Sequence, residues 1–214
     1  MRTYGHYCAV AKALDVVGDR WTLLIVRELL LRGPCRYTDL RHGLPGIATN
    51  LLVDRLRELE EAGIIRREAA PPPIATTLFQ LTERGEQLAP VLHALGRWGA
   101  ALMAEPAPDA EFRSHWLAFP AEHLLADRTP DRPPISIEVR TGDQPMLLET
   151  VDGGIHARPG AGAHPDAVLS GHPGPILGLL TGRLDLAEAE ARGLRLEGDI
   201  DAVRRVQPQP SASD

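Results

Sequence analysis

The chain has 214 residues, with 23 Lys+Arg against 29 Asp+Glu and a net charge of −6, which is length enough for one large domain or two ordinary ones. Its charge is split unevenly: residues 1–105 hold 13 basic against 12 acidic residues, and residues 106–214 hold 10 against 17, so a nucleic-acid surface belongs to the first half. Two cysteines, Cys8 and Cys35, exclude a disulfide framework, and a longest apolar stretch of Leu23 to Leu31, broken by Arg27 and Glu28, excludes a membrane span.

No signal peptide opens the sequence, so a cytoplasmic protein with no membrane partner is expected. Residues 7–17 read as a short helix stopped by Gly18. Asp19 is placed to cap a second helix, Trp21 to Arg32, which is apolar almost all round and must be buried on several sides. Gly33-Pro34 ends it, Tyr37 to His42 forms a third helix, and Gly43 to Gly46 is a turn. In the stretch that follows, Leu52, Leu56 and Leu59 fall in one stripe, while Asn50, Asp54 and Arg57 point the other way. Gly63 stops this amphipathic helix; a short strand to Glu68, a turn at Pro71 to Pro73 and a second strand at Thr77 to Leu81 complete the outline of a winged helix. Thr82 then caps a long helix bearing Leu88, Val91, Leu92, Leu95, Trp98 and Leu102, in which Pro90 removes one hydrogen bond and introduces a bend. That stripe serves either a dimer partner or its own domain's core.

Beyond Pro106 the pattern changes. Asp109 to Leu125 reads as a helix, and Ile135 to Arg140, Met146 to Val151, Ile155 to Arg158 and Ala167 to Ser170 read as strands, with a hairpin turn at Gly153-Gly154. Pro173 to Leu180 and Asp185 to Arg192 read as helices, the second with Asp185 and Glu188 as a capping box and Gly193 as its stop; Leu194 to Glu197 is a last strand. The expected division is 1–105, 106–206 and a disordered tail at 207–214.

Residues 5–103 carry a resemblance. The Cys near the start, Gly-x-x-Trp before the apolar helix, LRELEEAG at the end of the amphipathic helix and LTERG before the last helix occur in the order found in the HxlR family of winged-helix transcription regulators, relatives of the MarR group. The resemblance implies a homodimer whose two recognition helices read a pseudo-palindromic operator on double-stranded DNA. Two departures stand out. Ala48 occupies the position where the family usually has Ser, costing ~1 kcal/mol unless Thr49 takes over the cap. The wing, Glu68 to Thr76, has no Arg or Lys at its tip. Residues 166–206 resemble the sterol-carrier-protein-like domain that follows some such regulators, which implies an apolar cavity and a hydrophobic small-molecule effector. The fold class is then α+β: an N-terminal winged helix-turn-helix domain followed by a smaller α+β sterol-carrier-like domain.

From the residue chemistry, Thr49, Asn50, Val53 and Asp54 are the candidates for reading bases: Asn pairs with adenine, methyl groups meet thymine, and a carboxylate accepts from cytosine. Arg36, Arg41, Arg57, Arg66 and Arg67 are the candidates for neutralising phosphates, each with a solvated surface charge or a pairing with Glu58, Glu60 or Glu61 as its competing role. Trp116, Phe119, Ile137, Val139, Met146, Leu148, Ile176 and Leu180 are the candidate cavity walls, or equally an ordinary core. Cys8 lies at a helix start, and the resemblance implies redox or electrophile sensing, as in some members of the family; a small buried side chain is its competing role. None of the eight histidines is in a metal-ligand spacing, and no GxSxG, P-loop or GxGxxG occurs, so no metal, cofactor or catalytic activity is expected. The alternative function is a hydrophobic-ligand binding or carrier protein that uses the winged helix only to dimerise.

Overall fold

The computed structural model describes residues 3–70, 76–100, 102 and 111–208, and the chain falls into two compact units, Met1–Ala100 and Ala101–Asp214. The tip of the wing, Pro71 to Ala75, and residues 209–214 of the expected tail lie outside the described residues.

The first unit runs α1 (Ala9–Val17), α2 (Thr22–Arg32), β1 (Cys35–Arg36), α3 (Tyr37–Gly43), α4 (Thr49–Glu61), β2 (Ile65–Ala69), β3 (Thr77–Leu81), α5 (Glu83–Glu86) and α6 (Ala89–Ala100), with a sheet in the order β1-β3-β2. This is a winged helix-turn-helix arrangement. The core gathers Ile25, Val26 and Leu29 from α2, Leu40 from α3, Leu52, Leu56 and Leu59 from α4, and Ile65, Phe79 and Leu81 from the strands. The stripe on α4 buries as its spacing requires, and the helix ends as its glycine requires. Gly63 takes φ +69, its N–H reaches the Glu60 carbonyl at 3.0 Å, and the Ile64 N–H reaches back to Leu59 at 2.9 Å. Thr82 caps α5 by accepting from the Gly85 N–H at 3.2 Å. Gly85 is fixed by close approach, since a Cβ there would stand 2.2 Å from the Ile64 carbonyl oxygen.

Three expectations for this unit are corrected. Asp19 does not cap α2: the N-cap is Trp21, at φ +80 and without a side-chain cap, and the Asp19 carboxylate is taken by Arg55. Thr49 does not supply the missing cap of α4, whose first turn starts from Ala48 with no side-chain acceptor. The single long helix after Thr82 is instead two helices, with Pro90 in the first turn of α6, where a missing N–H breaks no intrahelical bond, so the chain restarts there rather than bending. The two-residue strand β1 was not expected; it exists only through its pairing with Leu78 and Phe79 of β3.

In the second unit, a 3₁₀ turn (Ser114–Leu117) and α7 (Ala118–Leu124) precede β4 (Ser136–Thr141), β5 (Gln144–Val151), β6 (Gly154–Pro159), β7 (Ala167–Ser170), α8 (Pro173–Leu180), α9 (Leu186–Ala191), β8 (Arg195–Gly198) and α10 (Ile200–Val206). The strands order as β6-β5-β4-β7-β8, with β4 and β7 parallel and the other pairs antiparallel. Of the helix expected over Asp109 to Leu125, the first two residues lie outside the described residues, and the remainder holds a 3₁₀ turn followed by a shorter helix. Ser114 is held by the sheet instead of starting a helix: its hydroxyl donates to the Thr141 carbonyl at 2.5 Å and its N–H to Asp143 at 2.9 Å. The β5–β6 turn centres on Asp152 (φ +49) and Gly153 (φ +80), one residue earlier than the spacing suggested. Asp185 and Glu188 form the expected capping box. The α10 helix, not anticipated from the sequence, is tied back by Arg205, which donates to both oxygens of Asp127 at 2.7 Å. On the other sheet face, Glu138 is buried because the β6–β7 connection crosses over it, the Gly162 N–H donating to its carboxylate at 3.0 Å.

Candidate nucleic-acid interface

Burying Leu52, Leu56 and Leu59 fixes which way the rest of α4 faces. Thr49, Asn50, Val53 and Arg57 are exposed and Asp54 is half-exposed, so the base-reading candidates occupy one outward face at the helix start. The uncapped first turn leaves the positive end of the helix dipole on that face without a side-chain partner. From α3, the Tyr37 hydroxyl donates to the Thr49 carbonyl at 3.1 Å and pins this turn, a role no sequence spacing announced.

The arginines divide into two sets. Arg57 is paired with Asp54 at 3.3 Å and Glu61 at 4.0 Å on its own helix. Arg67 is paired with Glu60 at 2.8 Å, and its guanidinium lies 5.5 Å from the centroid of the Phe79 ring. Arg36, Arg41 and Arg66 are exposed with no ion pair among the described residues. A phosphate brought to those three would displace no carboxylate, whereas one brought to Arg57 or Arg67 would have to exchange with one.

Cys8 is exposed at the N-cap of α1, while Cys35 is buried with its thiol pushed up to about 11 by that burial. Asp15, on the same helix, is held below its usual carboxylate range by the Tyr4 N–H at 2.8 Å, which folds the N-terminal segment back onto α1. A band of apolar side chains stays in solvent on this unit: Tyr7 just ahead of α1, Val10 and Leu14 of α1, Leu24 of α2, and Val91, Leu95 and Trp98 of α6, Trp98 being 72% exposed. The α6 helix buries only Leu92, so its apolar stripe has little to pack on within its own unit.

In the second unit, Ile137, Val139, Met146 and Leu148 share one sheet face by their register, and with Ile176 and Leu180 of α8 all are at most 2% exposed. Trp116 and Phe119 are half-buried. The six aliphatic side chains are packed as a closed core, and the two aromatic ones lie at its edge or outside it. A groove of about 570 Å³ in this unit lies elsewhere, lined by Arg140, Thr141, Gly142, Asp143, Gln144, Pro145 and Gly171. No helix among the described residues is long and apolar enough to cross a membrane.

The profile of the HxlR-like helix-turn-helix family matches residues 16–106. An uncharacterised helix-turn-helix-type transcriptional regulator of Synechocystis is 38% identical over 96 residues, 45% of this chain and 70% of that protein. An uncharacterised regulator of the same type from Bacillus subtilis is 36% identical over 87 residues, 41% of this chain and 80% of that protein. The regulator YodB of Bacillus subtilis is 33% identical over 86 residues, 40% of this chain and 76% of that protein. The α3–α4 pair and the wing strands lie inside the stretch that the family profile matches.

Proposed function

The chain belongs to the HxlR-like helix-turn-helix family of transcriptional regulators, and from that premise we propose that it works as a homodimer whose two α4 helices enter successive major grooves of a pseudo-palindromic operator. It is a DNA-binding regulator and not an enzyme. The observation that carries the finer reading is the outward face of α4, where Thr49, Asn50 and Val53 stand exposed at the uncapped helix start. In this reading Asn50 pairs with adenine, Val53 meets a thymine methyl, and Asp54 accepts from cytosine N4. Thr49 lies beside a phosphate bound at the helix terminus. Arg36, Arg41 and Arg66 neutralise further phosphates, joined by Arg57 and Arg67 once their carboxylates are released. The apolar band on α1, α2 and α6 is the surface that the second copy covers.

The second unit is read as a sterol-carrier-like effector domain. Support comes from the continuous apolar layer between its sheet and α8. Because that layer is closed, a hydrophobic molecule binds there by moving packed side chains, and it regulates only if it binds DNA-competent and incompetent dimers differently, typically by ~1–3 kcal/mol. Cys8, exposed on α1, is the residue through which oxidants reach the dimer face.

The test is selection by the full chain from a randomised duplex library. The enriched sequence should be an inverted repeat with half-sites ~10 bp apart, centre to centre. Enrichment of a single asymmetric site refutes the dimer, and no enrichment at all refutes sequence-specific binding.

A further inference from the structure

The corner between α1 and α2 meets the α4 helix at one ion pair and lies near the turn that leads into it. Trp21, in that corner, holds φ +80, a left-handed backbone that a bulky residue adopts only where its surroundings impose it. Its ring reaches the α3–α4 turn, so that a Cβ built on Gly46 would lie 4.0 Å from the ring edge, and the Arg20 guanidinium lies 5.6 Å from the ring centroid. Two residues before Trp21, the Asp19 carboxylate accepts from Arg55 Nη1 at 2.5 Å, a contact 36 residues long that reaches the middle of α4. The same guanidinium nitrogen binds Glu58. The Arg55 side chain is 18% exposed and its Nε is buried with no hydrogen-bond partner, so this cation faces its two carboxylates rather than water or a phosphate.

The Asp19 side chain is 66% exposed, and an ion pair so well solvated adds little to stability. Its effect is geometric. The ion pair tethers α4 at its middle on one face, which limits the helix's roll, while the Trp21 ring lies near the turn that leads into it. We propose that Asp19 and Arg55 are a positioning pair for base readout, by which the α1–α2 corner sets the roll of the recognition helix. The pair thereby connects α1, which carries Cys8 and part of the apolar band, to Asn50 and Val53. This inference rests on α4 being the DNA-reading element.

Positioning and direct phosphate contact predict opposite signs. Removing the Asp19 charge should strengthen binding to every duplex if electrostatics alone acts, but should blunt discrimination if the pair sets the helix. The probes are a duplex enriched by the parent from a randomised library and a shuffled duplex of the same composition. Full-length parent, Asp19→Asn, Arg55→Ala and the double variant are titrated against both at two salt concentrations. Asp19→Asn should lower the ratio of the two affinities about threefold to tenfold and leave the salt dependence unchanged. Arg55→Ala should lower it at least as far, and the double variant no further than Arg55→Ala alone, because coupled groups are not additive. The pairing is overturned if Asp19→Asn keeps the parent's ratio, if the two effects add, or if Arg55→Ala flattens the salt dependence as the loss of a phosphate contact would. If the parent itself enriches no sequence, the reading of α4 fails first and the positioning role falls with it.

Discussion

Replacing Trp98 by Ala should split the proposed dimer without unfolding the protomer. Trp98 is 72% exposed in the single chain and stands beside Val91 and Leu95, which are each 45% exposed, along a helix that buries only Leu92. An aromatic side chain offers ~150–250 Å². Covering the 72% now in solvent is therefore worth ~3–4 kcal/mol per protomer at ~25 cal/mol per Å². A two-fold interface contains the residue twice, but an interface covers only part of each side chain and ordering it has its own cost, so a total of ~3–4 kcal/mol for the dimer is the working figure. That corresponds to a dimer dissociation constant raised ~100- to 1000-fold. Sedimentation velocity across a concentration series reads the constant, and circular dichroism on the same samples reads the fold. An unchanged constant would place the interface elsewhere. A lost helical signal would mean that Trp98 holds its own unit together, contrary to its exposure.

Asn50→Ala should relax base preference at one operator position by ~1–3 kcal/mol, whereas Arg66→Ala should weaken all duplexes alike and reduce the salt slope by about one; unchanged ranking of operator variants in Asn50→Ala would show that α4 docks in another register. In the second unit the Asp127 carboxyl is held below its usual range chiefly by the Arg205 hydrogen bonds, so its contribution to stability is complete above the unfolded value of ~3.9 and is lost as pH falls through the lower folded value. Asp127→Asn should cost ~3 kcal/mol at neutral pH, because Arg205 keeps its backbone carbonyl partners but loses its counter-charge, and should make the acid limb of a denaturation curve shallower; a parallel acid limb would contradict it. A thiol oxidant should shift the duplex affinity of the parent and of Cys35→Ser but not of Cys8→Ser, since Cys8 is exposed while the Cys35 thiol, near 11, is protonated at neutral pH. An equal response in Cys8→Ser would remove Cys8 from sensing.

Elements whose identity comes from a local pattern were legible in the sequence. The α4 stripe, the Gly63 stop, the Thr82 cap, the Asp185 capping box and the strands β4 to β7 each follow from side-chain period or cap chemistry within a few residues. What escaped was set by distant partners. β1 is a strand only because Phe79 and Leu78 lie opposite it, and Ser114 leaves the helical pattern because Thr141 and Asp143 bind it. Asp19 looked like a cap because an acid before an apolar run usually is one; nothing nearby marks Arg55 as its partner. α10 is only seven residues long, too short for its apolar stripe of Ala202, Val203 and Val206 to stand out. For the interface, the face of α4 follows from the sequence, but the division of arginines into paired and unpaired sets needed coordinates, because Arg67 meets Glu60 across the α4–β2 turn.

In the proposed function, the exposed start of α4 reads operator sequence. Its most direct test is a titration of the full chain against a fluorescent duplex of its own upstream region, with an unrelated duplex as control, at two salt concentrations. Binding to the cognate duplex should be at least ~1000-fold tighter, a preference that persists as salt rises while both affinities fall. Equal affinity for the two duplexes at both salt concentrations would contradict it.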